Sequence, residues 1–238
     1  ELETAELQSW KKLLRVITHE IMNSVSPIVS LTTTLNRLYI KNGKKLTPSQ
    51  VRENHIDDTI EGIQIINRRG TGLLSFVKNI RKIHLLPKPT IEQINVKDFF
   101  EYVLGLMREE LEKSNIEFTY HLFPENIVLE ADRNMLEQMI INLINNSIDA
   151  LDKTKKGRIE LKAFQDEGNR KYLQVIDNGE GIAPERIKDI FIPYFSTKEN
   201  GSGIGLSLCR QIMRLHKGDI SADSEPNAKT TLTLKFPQ

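Results

Sequence analysis

The chain has 238 residues, 39% apolar and 27% charged, the composition of a globular protein large enough for one sizeable domain or two small ones. Its 33 lysines and arginines nearly balance 32 aspartates and glutamates, and a net charge of +1 gives no electrostatic case for nucleic acid or an anionic membrane as partner. The single cysteine, Cys209, excludes an intrachain disulfide and fits a reducing setting; no signal peptide is visible, and the apolar runs fall far short of the roughly 20 residues that span a bilayer.

The chain begins on Glu1-Leu2-Glu3-Thr4, without an initiator methionine and already in helical register, and reads as a piece of a longer protein. Leu7, Leu14, Ile21, Ile28 and Leu35 repeat every seven residues, with Trp10, Ile17, Ser24, Leu31 and Leu38 three residues behind; only Ser24 breaks the apolar pattern. This is the a/d signature of a long helix packed on other helices. The polar stretch Lys41 to Lys45, with Gly43, should end it. Thr47-Pro48 then opens a second helix, whose apolar positions include Ile56, Ile60, Ile63, Ile66, Leu73, Val77 and Ile80, and which stops before Pro87. Two such helices make an antiparallel hairpin. Its wide apolar face calls for a second copy, giving a dimeric four-helix bundle.

His19 takes an f position of the first helix, facing away from the seam. A lone surface histidine usually does nothing, but here the neighbours matter. Glu20 can accept the Nδ1 proton or orient the ring, leaving Nε2 unprotonated and nucleophilic near neutral pH. Asn23 follows one turn later on the same side, where it can position water. Pro27 deprives the Asn23 carbonyl of its helical partner and can bend the helix.

Leu86-Pro87-Lys88-Pro89-Thr90 reads as a linker, dividing the chain into residues 1–88 and 89–238. Beyond it the pattern predicts a helix over Asp98–Ser114 and strands over Ile116–Leu122 and Ile127–Glu130. A helix N-capped by Asp132 should run to about Leu151. Strands at Arg158–Phe164 and Tyr172–Asp177 meet at the turn Asp166 to Asn169. A helix over Ser202–His216 and strands at Ile220–Ala222 and Thr230–Phe236 close the chain. Strands and helices in this order suggest an α+β fold, an α/β sandwich behind the helical hairpin.

Three clusters in this half carry chemistry. Asp177-Asn178-Gly179-Glu180-Gly181 follows a strand; a carboxylate and two spaced glycines suit close approach of backbone to a flat ligand. Gly201-Ser202-Gly203-Ile204-Gly205-Leu206 opens a helix whose free N–H groups and dipole favour phosphate. Each alone is as readily a tight turn. Asn142, Asn146 and Asp149 share one face of the Asp132 helix, with Asn145 beside them. Neutral carboxamides on a helix otherwise rich in Ile, Leu and Met suit Mg²⁺ carrying a phosphate chain better than a solvated face.

In this order the clusters resemble the GHKL ATP-binding superfamily (gyrase, Hsp90, MutL and histidine kinases). Asn142 to Ala150 is similar to its N box, Asp177 to Gly181 to its G1 box and Gly201 to Leu206 to its G2 box. Phe191 to Lys198 resembles the F box of histidine kinases, and Thr18 to Pro27 their H box in its His-Glu-x-x-Asn form. The resemblance covers Ile91 to the end and then Trp10 to Ser30, where it is most similar to the NtrY-type nitrogen-regulation group. It implies an ATP-dependent protein-histidine kinase with His19 as phosphoacceptor, Glu20 aiding autophosphorylation and Asn23 aiding dephosphorylation of a partner. Asp177 would accept from the adenine amino group, Asn146 would bind Mg²⁺ with Asn142 nearby, Gly203 and Gly205 would meet the phosphates, and Lys198 could reach one from a lid over residues 184–202. The partners implied are a second copy of the chain and a response-regulator receiver domain, and the setting is the cytoplasmic part of a membrane-bound sensor. No membrane contact by this segment is expected.

Two departures stand out. The family's Gly-x-Gly before the last threonine is Asn227-Ala228-Lys229 here, so no ligand contact is assigned to that stretch. ATP-hydrolysing members carry a glutamate four residues before the metal-binding asparagine; Asn142 stands there, which disfavours general-base hydrolysis. A GHKL-type ATPase and a catalytically inactive dimeric scaffold remain the alternatives. Cys209, His55, His84, His121 and His216 lack metal-ligand spacing and are expected to be structural.

Overall fold

The structure, a computed structural model, describes every residue except 1, 42, 85, 153, 155, 194 and 196–202; at 2–14, 16, 20, 79 and 81–84 it describes backbone alone. The chain divides into two compact units, Glu1–Lys82 and Ile83–Gln238.

The first unit is a hairpin of two long helices, α1 (Leu2–Leu38) and α2 (Glu53–His84). The side chains of Leu7, Trp10 and Leu14, which begin the heptad pattern, lie outside the described residues. Further on, Ile17, Ser24, Ile28, Leu31, Leu35 and Leu38 are half-buried, as a seam requires. At Gly62 a Cβ would stand 2.9 Å from Leu35 Cδ2, so this glycine lets α2 approach α1 closely. The connection is more structured than a polar loop. Ile40–Lys41 (β1) and Lys44–Lys45 (β2) pair antiparallel around Gly43, whose φ of +73° suits glycine. Pro48 opens a 3₁₀ turn, Pro48–Gln50, rather than α2 itself, which starts at Glu53. The Tyr39 hydroxyl donates to the His55 carbonyl at 3.0 Å and lies 2.7 Å from Thr59 Oγ1, tying the ends of the hairpin together. A broad apolar surface stays open: Ile56, Ile60, Ile63, Leu74 and Val77 are all exposed.

The second unit is a two-layer sandwich. Its sheet has the order β4 (Glu117–Phe123), β6 (Arg158–Gln165), β7 (Lys171–Asp177), β9 (Lys229–Lys235), β8 (Asp219–Glu225). Only β4 and β6 run parallel. Ahead of it, β3 (Glu92–Asn95), too short to announce itself by alternation, pairs antiparallel with the expected strand β5 (Val128–Ala131). Three helices, α3 (Val96–Lys113), α4 (Arg133–Ala150) and α5 (Gly205–Leu215), supply the other layer. Alternation sets the core: Ile159, Leu161 and Ala163 of β6 point inward onto Leu136, Met139, Ile140, Leu143 and Ile144 of α4. Asp132 caps α4 as its sequence indicates, accepting from Met135 N–H at 3.0 Å. The same carboxylate accepts from Thr90 N–H at 2.8 Å, and the Asp132 N–H donates to His216 Nε2 at 2.9 Å. His216 is therefore a buried structural ring, its Nδ1 2.8 Å from the Ile212 carbonyl. Cys209 is fully buried beside the Met139 carbonyl, and burial pushes its thiol up to about 12, opposed by a bond with Asn142. The α5 helix begins at Gly205, later than Ser202.

Candidate nucleotide site and histidine helix

Asp177 ends β7 at the middle of the sheet, facing α4. It is only 4% exposed, and each carboxylate oxygen has a donor: Ser147 Oγ–H to Oδ2 at 3.0 Å, Gly179 N–H to Oδ1 at 3.0 Å. Ser147, itself 1% exposed, interrupts the apolar face formed by Ile140, Leu143 and Ile144. Its signal was a polar residue on a buried stripe, directly after Asn146.

The two glycines beyond Asp177 are each crowded by the protein's own backbone. A Cβ at Gly179 would stand 2.7 Å from the Ala150 carbonyl oxygen at the end of α4. Glu180 N–H donates to that oxygen at 3.1 Å. Gly181 has φ of +69°, and a Cβ there would collide with the Glu225 carbonyl. Asn178 staples the loop, accepting from Arg158 N–H at 2.7 Å and donating to the Lys156 carbonyl at 2.9 Å. The loop is thus fixed on three sides, and Asp177 is a preorganised acceptor rather than a mobile acid.

Asn142 and Asn146 are half-buried on α4, while Asn145 and Asp149 are exposed. The start of α5 lies against this face: a Cβ on Gly205 would sit 3.6 Å from Asn142 Oδ1, ordinary contact distance. Gly203 has φ of +63°, turning the chain into the helix. The N-cap, Ile204, has an apolar side chain and makes no capping bond to the first N–H groups of α5. Ser207 Oγ turns back to the Ile204 carbonyl at 2.8 Å, and Leu206 is half-buried. The fold therefore gathers Asn142, Asn146, Asp177, Gly203 and Gly205 around the ends of α4, β7 and α5. Lys198, expected to reach a phosphate, lies outside the described residues, as do Gly201, Ser202 and part of the F box.

On α1, His19 is exposed. Its Nδ1 lies 2.9 Å from Asn23 Nδ2, one turn on. The Glu20 side chain, the expected carboxylate partner, lies outside the described residues; among those described, the Asn23 carboxamide meets the ring. With the amide N–H donating, Nδ1 is an acceptor and the ring proton sits on Nε2. A half-turn of the amide presents its oxygen instead, takes Nδ1–H and frees the Nε2 lone pair.

Comparison with known proteins agrees with this geometry. Residues 131–238 match the "Histidine kinase-, DNA gyrase B-, and HSP90-like ATPase" family. Over 236 residues the chain is 26% identical to signal transduction histidine-protein kinase AtoS of Escherichia coli, covering 99% of this chain and 36% of AtoS. It is 28% identical to nitrogen regulation protein NtrY of Azorhizobium caulinodans, covering 99% of this chain and 30% of NtrY. The nucleotide-free catalytic domain of histidine kinase ThkA is 31% identical, with TM-score 0.56, covering 62% of this chain and 95% of that one. The chain belongs to the sensor histidine kinases of the GHKL superfamily. A ThkA structure in complex with response regulator protein TrrA, at 23% identity, shares the fold across both units, with TM-score 0.65 over 98% of this chain and 63% of that one. The kinase segment spans about a third of the length of AtoS and NtrY. No helix among its described residues is long and apolar enough to cross a membrane.

Proposed function

We propose that the chain is the catalytic core of a sensor kinase that binds ATP with Mg²⁺ and transfers the γ-phosphoryl group to His19, from which an aspartate of a response regulator receives it. The observation that carries this reading is Asp177, a buried carboxylate held from both sides by Ser147 and Gly179 beside the carboxamides of α4. A fixed acceptor at a sheet's centre suits the exocyclic amine of adenine, and the uncapped start of α5 suits the phosphates.

The donor set fits a hard divalent cation. Asn146 offers a neutral oxygen, and among the described residues no cluster of three or more His, Cys, Asp or Glu forms a competing metal site. Mg²⁺, held by Asn146 and phosphate oxygens, would supply charge neutralisation on the polyphosphate. Asn142 keeps a carboxamide against Gly205 where a hydrolase needs a base, so water is not activated there. Nε2 of His19 attacks phosphorus in line, the bond to the bridging oxygen breaks, and ADP leaves. Asn23 fixes the ring through Nδ1, and Glu20 is assigned the same help. Asp149 is exposed and is kept only as a neighbour of the phosphate face.

The partners proposed are a second copy, covering the apolar surface of the hairpin, and a receiver domain of the kind seen bound to ThkA. The hairpin's exposed isoleucines favour the dimer, and the parent protein is proposed to present this core in the cytoplasm. Equilibrium binding of ATP tests the nucleotide half. Asp177→Asn should abolish measurable binding, and Asn146→Ala should remove its Mg²⁺ dependence. Unchanged affinity in Asp177→Asn would overturn the assignment.

A further inference from the structure

Ser147 lies on the buried stripe of α4 with Ile140, Leu143 and Ile144, and at 1% exposure its hydroxyl has left water. A buried hydroxyl costs free energy unless it is bonded. The bond it makes goes to Asp177 Oδ2 at 3.0 Å. An alanine would continue the apolar stripe with nothing to satisfy. The hydroxyl is therefore explained by the carboxylate it meets.

The two donors to Asp177 differ in kind. Gly179 N–H comes from two residues along the same loop and moves with the aspartate. Ser147 reaches it from another element, 30 residues away in sequence. The same helix also holds the loop: Glu180 N–H donates to the Ala150 carbonyl at 3.1 Å, one turn beyond Ser147. With Oδ1 tied to the loop and Oδ2 tied to α4, the carboxylate plane cannot turn about Cβ–Cγ without breaking a bond. A carboxylate accepts about four hydrogen bonds, so two donors orient it without exhausting it. Ionised, it has no proton to give, and what it presents in that fixed plane is an acceptor. An exocyclic amine on a base meets it; a carbonyl in the same place would set acceptor against acceptor.

We propose that Ser147 is a positioning residue for base recognition: by donating to Oδ2 it holds the Asp177 carboxylate in the plane in which it accepts from the exocyclic amine of adenine. This rests on the nucleotide reading above and deepens it, because it names the side chain through which the site selects a 6-amino over a 6-oxo purine. A purely structural serine would affect every nucleotide alike, whereas a positioning serine acts only through the amine.

Calorimetric titration of the full chain with ADP and with purine riboside 5′-diphosphate, the same nucleotide without the amine, decides the matter, each with Mg²⁺. The unaltered chain should bind ADP the more tightly. Ser147→Ala should weaken ADP by about five- to tenfold and the amine-free nucleotide by less than about twofold, since one charge-assisted bond is misaligned and only where there is an amine to make it. Ser147→Cys keeps nearly the same volume with a weaker donor and should fall between; it also decides the question if the Ala variant does not fold. Equal weakening of both nucleotides, or of neither, overturns the positioning role while leaving nucleotide binding intact. An unaltered chain that binds the two equally, or binds neither, does not read the amine through Asp177, which overturns that assignment and this inference with it.

Discussion

At the scale of single residues, Asp177 shows how a buried charge is made tolerable. Both its oxygens have donors, and one of them, Ser147, has no other assigned task. Ser147→Ala would remove the Ser147 bond to Oδ2 from a buried site and should destabilise the C-terminal unit by about 1 kcal/mol; urea denaturation midpoints measure it, and an unchanged midpoint would show the bond contributes nothing. Gly179→Ala places a methyl 2.7 Å from the Ala150 carbonyl. It should cost at least as much, roughly 2 kcal/mol or more, because backbone rather than a flexible side chain must move. Asp177, Asn142 and Asn146 were legible as chemistry because polar residues on strand ends and apolar helices need a reason. Ser147 was not, because a serine is small enough to pass for core. The glycines were legible as necessary, but not why: sequence cannot say whether the backbone that crowds a glycine is the protein's own.

At the scale of elements, α4 and α5 carry the site and Asp132 secures one end of both. It caps α4, holds Thr90, and through its N–H meets His216 at the end of α5. Burial acts to raise the Asp132 pKa, but N–H donors from Met135, Thr90 and Asn134 outweigh it and hold the carboxyl below its ordinary 3.8. A lowered native pKa means that this contribution to stability is complete above 3.8 and is lost as the pH falls through the native value. Asp132→Asn should therefore be less stable by about 1 kcal/mol near neutrality, with the gap closing on acidification. A gap that stays constant into the acid range would mean that the charge is irrelevant. The cap was plain in the sequence, since an aspartate before an apolar helical run is a local signal. Its bonds to Thr90 and His216 were not, because they join residues 42 and 84 positions away. Strand β3 escaped for a related reason: four residues pair with β5 through backbone alone.

At the scale of the whole molecule, the division into hairpin and sandwich could be read from a change of period, 3.5 residues before the linker and alternation after it. The strand order could not. The parallel pairing of β4 with β6 spans α4 and depends on which strands the helices bring together. The hairpin's surface makes its own prediction. Ile60 and Ile63 are 51% and 55% exposed on α2, one turn apart, where a second copy would bury them. Ile60→Glu with Ile63→Glu should convert a dimer into monomers in sedimentation equilibrium; a dimer that survives the pair of charges uses another face.

The central claim is that phosphorus reaches His19, and incubation with γ-labelled ATP and Mg²⁺ tests it most directly, comparing the chain with His19→Gln. Phosphohistidine is stable to alkali and cleaved by acid. The account predicts label on the unaltered chain with that behaviour and none on His19→Gln. Equal labelling of both proteins, or free phosphate released equally by both without label on either, would contradict it.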